Sequence, residues 1–201
     1  MEQDVFVQRF EQQLAFVREV DKMKSIYRQT CVVEEDKREN DAEHSWHLAV
    51  LLLLFQEYAP WKVDISRAVK MVLFHDVVEI DAGDTYAYDH AALASKEERE
   101  LLAADRIFAI LPADQAVEFR ALWDEFEEQE TPESIFANVV DRVQPFFLNH
   151  WNGGVIWKER GITKSDIYRR NALVQEYFPR IWEYMELIIA VEVERGNLLN
   201  S

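Results

Sequence analysis

Apolar residues recur three or four positions apart along most of the chain, the spacing of helices with one buried face, and they rarely alternate as a half-buried strand requires. Phe6, Phe10, Leu14 and Val17 mark a first helix running to about Lys24. A polar connection, Cys31 to Asn40, leads to a second helix that opens near Asp41 and carries the run LAVLLLLF at 48–55. A helix apolar on every side belongs at the centre of a fold, so the second helix is predicted to be the central one. A third starts at Asp64-Ile65-Ser66 and ends around Ile80, where Asp81-Ala82-Gly83-Asp84 breaks it. Residues 81–94 read as a polar loop containing Tyr86, Tyr88 and His90.

A charged helix spans about Ser95 to Leu111, stopped by Pro112, and another about Asp114 to Glu128. Thr131-Pro132-Glu133 combines a hydroxyl cap, a proline at the first helical position and an acid in the first turn, so a helix starts there. It runs to about Trp151 and stops at Asn152-Gly153-Gly154. Thr163 with Asp166 matches a capping box, and a last helix covers about Pro179 to Arg195 before Gly196. The prediction is an all-α bundle. No repeat or Pro/Ser/Gly-rich linker interrupts it, so residues 1–201 are expected to form one domain.

Composition narrows the partners. Gly and Pro number five each, which favours long elements over turns, and 49% hydrophobic residues suffice for one core. The formal net charge of -16, without a Lys/Arg cluster, argues against duplex nucleic acid as a partner. The longest apolar run is eight residues, too short to span a bilayer, and the start MEQDVFVQRF lacks a signal-peptide layout. With Cys31 as the single cysteine, these features point to the cytoplasm. The last helix, IWEYMELIIAVEV, is apolar over more than one face, which suits either the core or a homodimer contact.

Within that scaffold some polar residues are out of place. In MVLFHDVVEIDAGDT, His75 and Asp76 sit among Val, Leu and Phe, where both cost free energy unless something pairs with them. A divalent cation uses an imidazole nitrogen and a carboxylate oxygen at once. His44, near the start of the second helix, and Asp141, in the apolar stretch IFANVVDRVQPFF, supply two further donors. Two nitrogens and two oxygens from three helices leave octahedral positions for water and substrate. Glu79 lies four residues after His75 and three after Asp76, so a continuous helix would project it from the same face. Pro145, four after Asp141, deprives the Asp141 carbonyl of its helical N–H and predicts a bend that aims the carboxylate.

The ordered set His44, His75-Asp76 and Asp141, with its context AEHSWHLA, HDVVEIDAGD and VVDRVQP, resembles the HD-domain metal-dependent phosphohydrolases, in the branch related to bacterial 5′-deoxynucleotidase. The resemblance extends over about residues 20–155, with the C-terminal helices at about 163–195 beyond it. It implies one divalent ion (Mn, Co, Mg, Ni, Fe or Zn) on His44, His75, Asp76 and Asp141, with Glu79 and Asp84 working beside it. It places a phosphate-orienting arginine at Arg28, and Asp84-Thr85 against the substrate. Arg38 is a second basic candidate, though its place suits an exposed helix entry. The related pattern has Trp directly after that arginine, where this chain has Gln29.

The implied activity removes phosphate from a nucleoside 5′-monophosphate or a similar small phosphomonoester. A metal-activated water attacks phosphorus and Glu79 assists proton transfer. The alternatives are an HD-type phosphodiesterase or nucleoside triphosphate hydrolase, or a non-catalytic nucleotide sensor. His47, His90 and His150 complete no familiar second-metal pattern, which favours one ion. The six tryptophans (46, 61, 123, 151, 157 and 182) are read as core or interface residues. The resemblance also favours the homodimer.

Overall fold

The computed structural model describes residues 2–88 and 94–201, so His90 lies outside the described residues. Helix α1 (Glu2–Val20) passes through a 3₁₀ turn (Asp21–Ser25) into strand β1 (Tyr27–Cys31), which pairs antiparallel with β2 (Arg38–Asn40). Helix α2 (Asp41–Phe55) follows, then α3 (Ile65–Phe74), a 3₁₀ segment (His75–Val78) and the short α4 (Glu79–Ala82). Beyond the loop come α5 (Lys96–Phe108), α6 (Ala113–Glu128) and the long α7 (Pro132–Trp151). Helices α8 (Val155–Arg160), α9 (Lys164–Arg170), α10 (Ala172–Tyr177) and α11 (Pro179–Glu194) complete the chain. The class is mostly helical, as the periodicity predicts.

The core forms where α2, α3 and α7 pack on one another. Leu48, Leu52, Val72, Phe136, Val140 and Val143 are fully buried there, and Trp157, Val174, Met185 and Ile189 close it from the C-terminal side. A second cluster (Phe16, Val77, Val78, Ala104, Ile107 and Trp123) packs α5 and α6 against the 3₁₀ segment. Each buried aliphatic side chain contributes about 1.5–3 kcal/mol. The helix starts are built by caps. Asn40 accepts from the Glu43 N–H while Glu43 Oε2 accepts from the Asn40 N–H at 3.1 Å. Thr131 with Ser134 and Thr163 with Asp166 repeat the reciprocal pattern.

The structure corrects several expectations. The connection before α2 contains a two-stranded hairpin, which its polar residues concealed. The third helix is not continuous to Ile80: Phe74 leaves the helical path at φ -117° and ψ -7°, and His75–Val78 winds as 3₁₀. The first helix ends at Val20, and its stripe does not face the core. Phe6, Phe10, Leu14 and Val17 are exposed, whereas Phe16 is buried near Phe74 and Phe108. Helix α2 is central only on one side, because Leu53 and Leu54 face out. Residues 155–177 form three short helices rather than the one expected. Trp123, Trp157 and Trp182 are buried, while Trp46 and Trp151 are exposed. Helix α7 runs across Pro145, whose carbonyl accepts from Asn149 Nδ2 at 2.8 Å. Arg38 is exposed, as its place at the helix entry suits, but the 81–94 segment starts later than expected because α4 extends through Ala82.

Candidate functional site

Helices α2 and α7 and the 3₁₀ segment after α3 deliver the unusual polar residues to one place. His44 enters just after the Asn40 cap and is fully buried. His75 and Asp76 come from the 3₁₀ break, and Asp141 from the middle of α7. His44 Nε2 lies 3.1 Å from Asp141 Oδ1 and 3.8 Å from Asp76 Oδ2. His75 Nε2 lies 3.1 Å from Asp76 Oδ1 and 3.7 Å from Asp141 Oδ1. Donor atoms of His44, His75 and Asp141 all fall within 4.8 Å of one another.

The far side of each imidazole is fixed. His75 Nδ1–H donates to the Val72 carbonyl at 2.9 Å, which turns the Nε2 lone pair inward, and that nitrogen has no hydrogen-bond partner. His44 Nδ1 lies 3.1 Å from Gln144 Oε1, and the Gln144 amide is oriented by donating to Glu39 Oε1 at 2.6 Å. Such outer contacts select the tautomer of a metal-binding histidine. The donor set therefore fits a divalent cation.

The winding of the break divides the donors. In a 3₁₀ segment residues three apart are eclipsed. Glu79 accordingly joins Asp76, and with Asp41 these form a second close group, separate from His44, His75 and Asp141. Glu79 thus groups with Asp76, while His75, Asp76 and Glu79 all line one cavity. The break is held from outside, because Trp123 Nε1–H donates to the His75 carbonyl at 3.1 Å.

Charge and burial shift these groups strongly. Burial alone would lower the pKa of His75, but the Asp76 and Asp141 carboxylates outweigh it and hold it well above the usual value. For His44, burial and Arg28 oppose the charge, and Asp141 and Glu39 overcome them. Asp141 is held well below the carboxylate range despite burial, through His44, His75 and Arg170. Asp76 is depressed likewise, burial being outweighed by His75 and Arg28. Glu79 is pushed well up by burial and then by Asp76. Burial, partly offset by Arg28, raises Asp84.

A cavity of about 230 Å³ opens onto this centre. Arg28, Glu79, Asp84 and Thr85 line it together with His75, Asp76 and Asp141, with His44 just behind, whereas Arg38 does not reach it. Arg28 on β1 donates to Asp76 Oδ2 at 2.6 Å. Thr85 Oγ1 accepts from Arg99 Nη2 at 3.0 Å, and Arg99 also holds the Ala82 carbonyl, fixing the turn that carries Asp84. Tyr86 and Tyr88 face the same cavity. Gln29 also lines it, and its Oε1 accepts from Arg160 at 2.9 Å.

Sequence reasoning missed several residues. Asp41 is fully buried with both oxygens lacking hydrogen-bond partners, and it lies one turn before His44 on the same helix. Gln144 lies one turn after Asp141, and Arg142 directly follows it in the quoted stretch VVDRVQP. Nothing in the local sequence marks Lys96 or Arg170, which also reach the cavity.

Comparison with known proteins adds context. A family model described as HD domain matches residues 20–182. The chain is 27% identical over 132 residues to the 5′-deoxynucleotidase HDDC2 of Xenopus laevis, covering 65% of this chain and 64% of that protein. It is 29% identical to the Homo sapiens 5′-deoxynucleotidase HDDC2, covering 65% and 63%. The chain thus spans less than two thirds of these relatives. A crystal structure described as a predicted metal-dependent phosphohydrolase, from Magnetospirillum magnetotacticum MS-1, superposes with a TM-score of 0.89 at 44% identity, covering 94% of this chain and 95% of that one.

Proposed function

The chain belongs to the HD-domain family, and from that premise we propose that it is a metal-dependent phosphomonoesterase acting on a nucleoside 5′-monophosphate or a similar small phosphomonoester. The observation that carries the reading is the convergence of His44, His75, Asp76 and Asp141 beside Arg28 on one cavity. These four residues would hold a single divalent cation. Among the described residues, His47 and His150 are engaged elsewhere, with Gln144 at 3.1 Å and Glu192 at 3.0 Å, which supports one ion at the histidine-rich group.

When bound, the cation supplies Lewis-acid polarisation of a phosphoryl oxygen and activation of water. Arg28 balances the negative charge that builds on the transferring phosphoryl group; only one of its donors is engaged by Asp76, and a guanidinium has about five. Glu79, buried and favouring its protonated form, exchanges the proton between water and the leaving oxygen. Asp84 and Thr85, on the turn held by Arg99, orient the sugar side of the substrate.

The decisive assay is phosphate release from a panel of monophosphates with Mn²⁺, Co²⁺ or Mg²⁺. Asp76→Ala and Glu79→Ala are each expected to lower kcat/KM at least about a hundredfold. Wild-type rates in both variants would remove the assignment. The reading places the enzyme in the cytoplasm, in keeping with its lone Cys31. It also makes the enzyme a homodimer, for which the exposed apolar residues of α1 and α11, such as Phe6 and Leu187, supply contact surface.

A further inference from the structure

Basic side chains reach the cavity from several elements, and they are not equally satisfied. Arg28 holds Asp76 at 2.6 Å, and Lys96 lies 3.3 Å from Glu100. On the wall built by α7 and α9, Arg170 Nη2 reaches a single carboxylate oxygen, Asp141 Oδ2, at 3.2 Å. Asp141 is itself assigned to the cation, so its charge is shared. Arg142 is partly buried and donates only to neutral oxygens, the Asn138 carbonyl at 3.3 Å and Gln129 Oε1 at 3.0 Å. Among the described residues it makes no ion pair. Both guanidinium side chains line the cavity.

Charges drawn out of water are costly unless paired, and a second cation alongside adds to the cost. In a chain of net charge -16, carboxylates are abundant, yet among the described residues none forms an ion pair with Arg142; Asp141 and Glu127 act on it only at longer range. In the phosphomonoesterase reading a monophosphate would be met by the cation and Arg28, which leaves this wall without an anion. Its two side chains retain N–H donors that point of chemistry to phosphate oxygens, the ligand a guanidinium fork fits best.

We propose that Arg142 and Arg170 form a second anion subsite, and that the preferred substrate carries a second phosphate besides the one removed. The inference rests on the phosphomonoesterase reading and extends it by naming the substrate class, a doubly phosphorylated nucleotide. The second phosphate can sit elsewhere on the sugar or extend the first as a diphosphate, and the substrates tested separate these.

The test compares deoxyadenosine 5′-monophosphate, 3′,5′-bisphosphate and 5′-diphosphate on the full chain. Two quantities are read: kcat/KM with Mn²⁺, and Kd by calorimetry in EDTA. At least one doubly phosphorylated compound is expected to exceed the monophosphate about tenfold or more in both, the effect of one or two charged hydrogen bonds. Arg142→Gln and Arg170→Gln are each expected to bring that ratio close to one. Equal values for all three compounds, or a ratio that survives both substitutions, overturns the subsite. Should Arg142→Gln fail to fold, Arg142→Lys decides: it keeps the charge but loses the fork, so the ratio falls part-way, and an unchanged ratio counts against the proposal. Hydrolysis of the monophosphate with no preference sinks the subsite and leaves the phosphomonoesterase standing. Preferential binding without phosphate release from any compound does the reverse.

Discussion

Asp41 shows how far a single side chain can be left unsatisfied beside a cation site. Both its oxygens are buried without hydrogen-bond partners, Arg28 Nη1 lying 3.9 Å from Oδ1, and burial followed by repulsion from Asp76 pushes its pKa up to about 7. The sign follows from proton linkage. The folded chain keeps a proton on Asp41 that the unfolded chain releases near pH 4, so in metal-free protein this group's contribution to stability falls as pH rises from about 4 to about 7. Asp41→Asn removes that penalty. In EDTA, its melting temperature is expected to exceed wild type by about 5 °C at pH 8 and to match it below pH 4. A pH-independent difference between the two melting curves would show that the carboxylate does not titrate in this way. At this scale the sequence was legible where a polar residue interrupts an apolar run, as His75, Asp76 and Asp141 do. Asp41 escaped notice because a helix start is an ordinary place for an acid, and Arg170 because its relation to Asp141 exists only after folding.

Among the elements, the hairpin matters most for the substrate, since β1 carries Arg28. It is moored to the end of α7 by Asn152, whose Nδ2 donates to the Cys31 carbonyl at 3.0 Å and whose Oδ1 accepts from the Glu34 N–H at 3.1 Å. Asn152→Ala loses both bonds, worth about 1–3 kcal/mol together. Steady-state kinetics are expected to show KM raised several-fold with kcat changed less; an unaltered KM would mean that the mooring does not position Arg28. Helices with strong caps were readable in advance, as Thr131 and Thr163 illustrate. The hairpin was not, because its short strands bury few side chains and offer no alternating pattern. The exposed stripe of α1 shows the complementary limit: periodicity identifies a helix without saying what its apolar face meets.

For the molecule as a whole, the site ties together elements far apart in the chain. His44, His75 and Asp141 come from three separate helical segments, so a cation bound to them acts as a cross-link of the native state alone. At a hundred times its Kd such a ligand stabilises by about 2.7 kcal/mol, which raises the melting temperature of a chain this size by about 5–10 °C. Thermal scans with Mn²⁺ against EDTA should show this rise in wild type and lose it in His44→Ala. A rise of equal size in that variant would place the cation elsewhere. The overall class followed from periodicity and the scarcity of Gly and Pro. The cavity did not, because its walls combine residues from β1, the loop after α4, α7 and α9.

The break at Phe74 has a meaning for the motif itself. Two adjacent letters, His and Asp, say which donors are present but not the angle between them, and that angle belongs to the winding. Here it depends on residues outside the pair: the Val72 carbonyl that takes the His75 proton, and Trp123, which occupies the His75 carbonyl. The same two letters in an uninterrupted helix would spell a different arrangement of donors. The smallest unit that encodes this centre is therefore the pair together with the contacts that bend it.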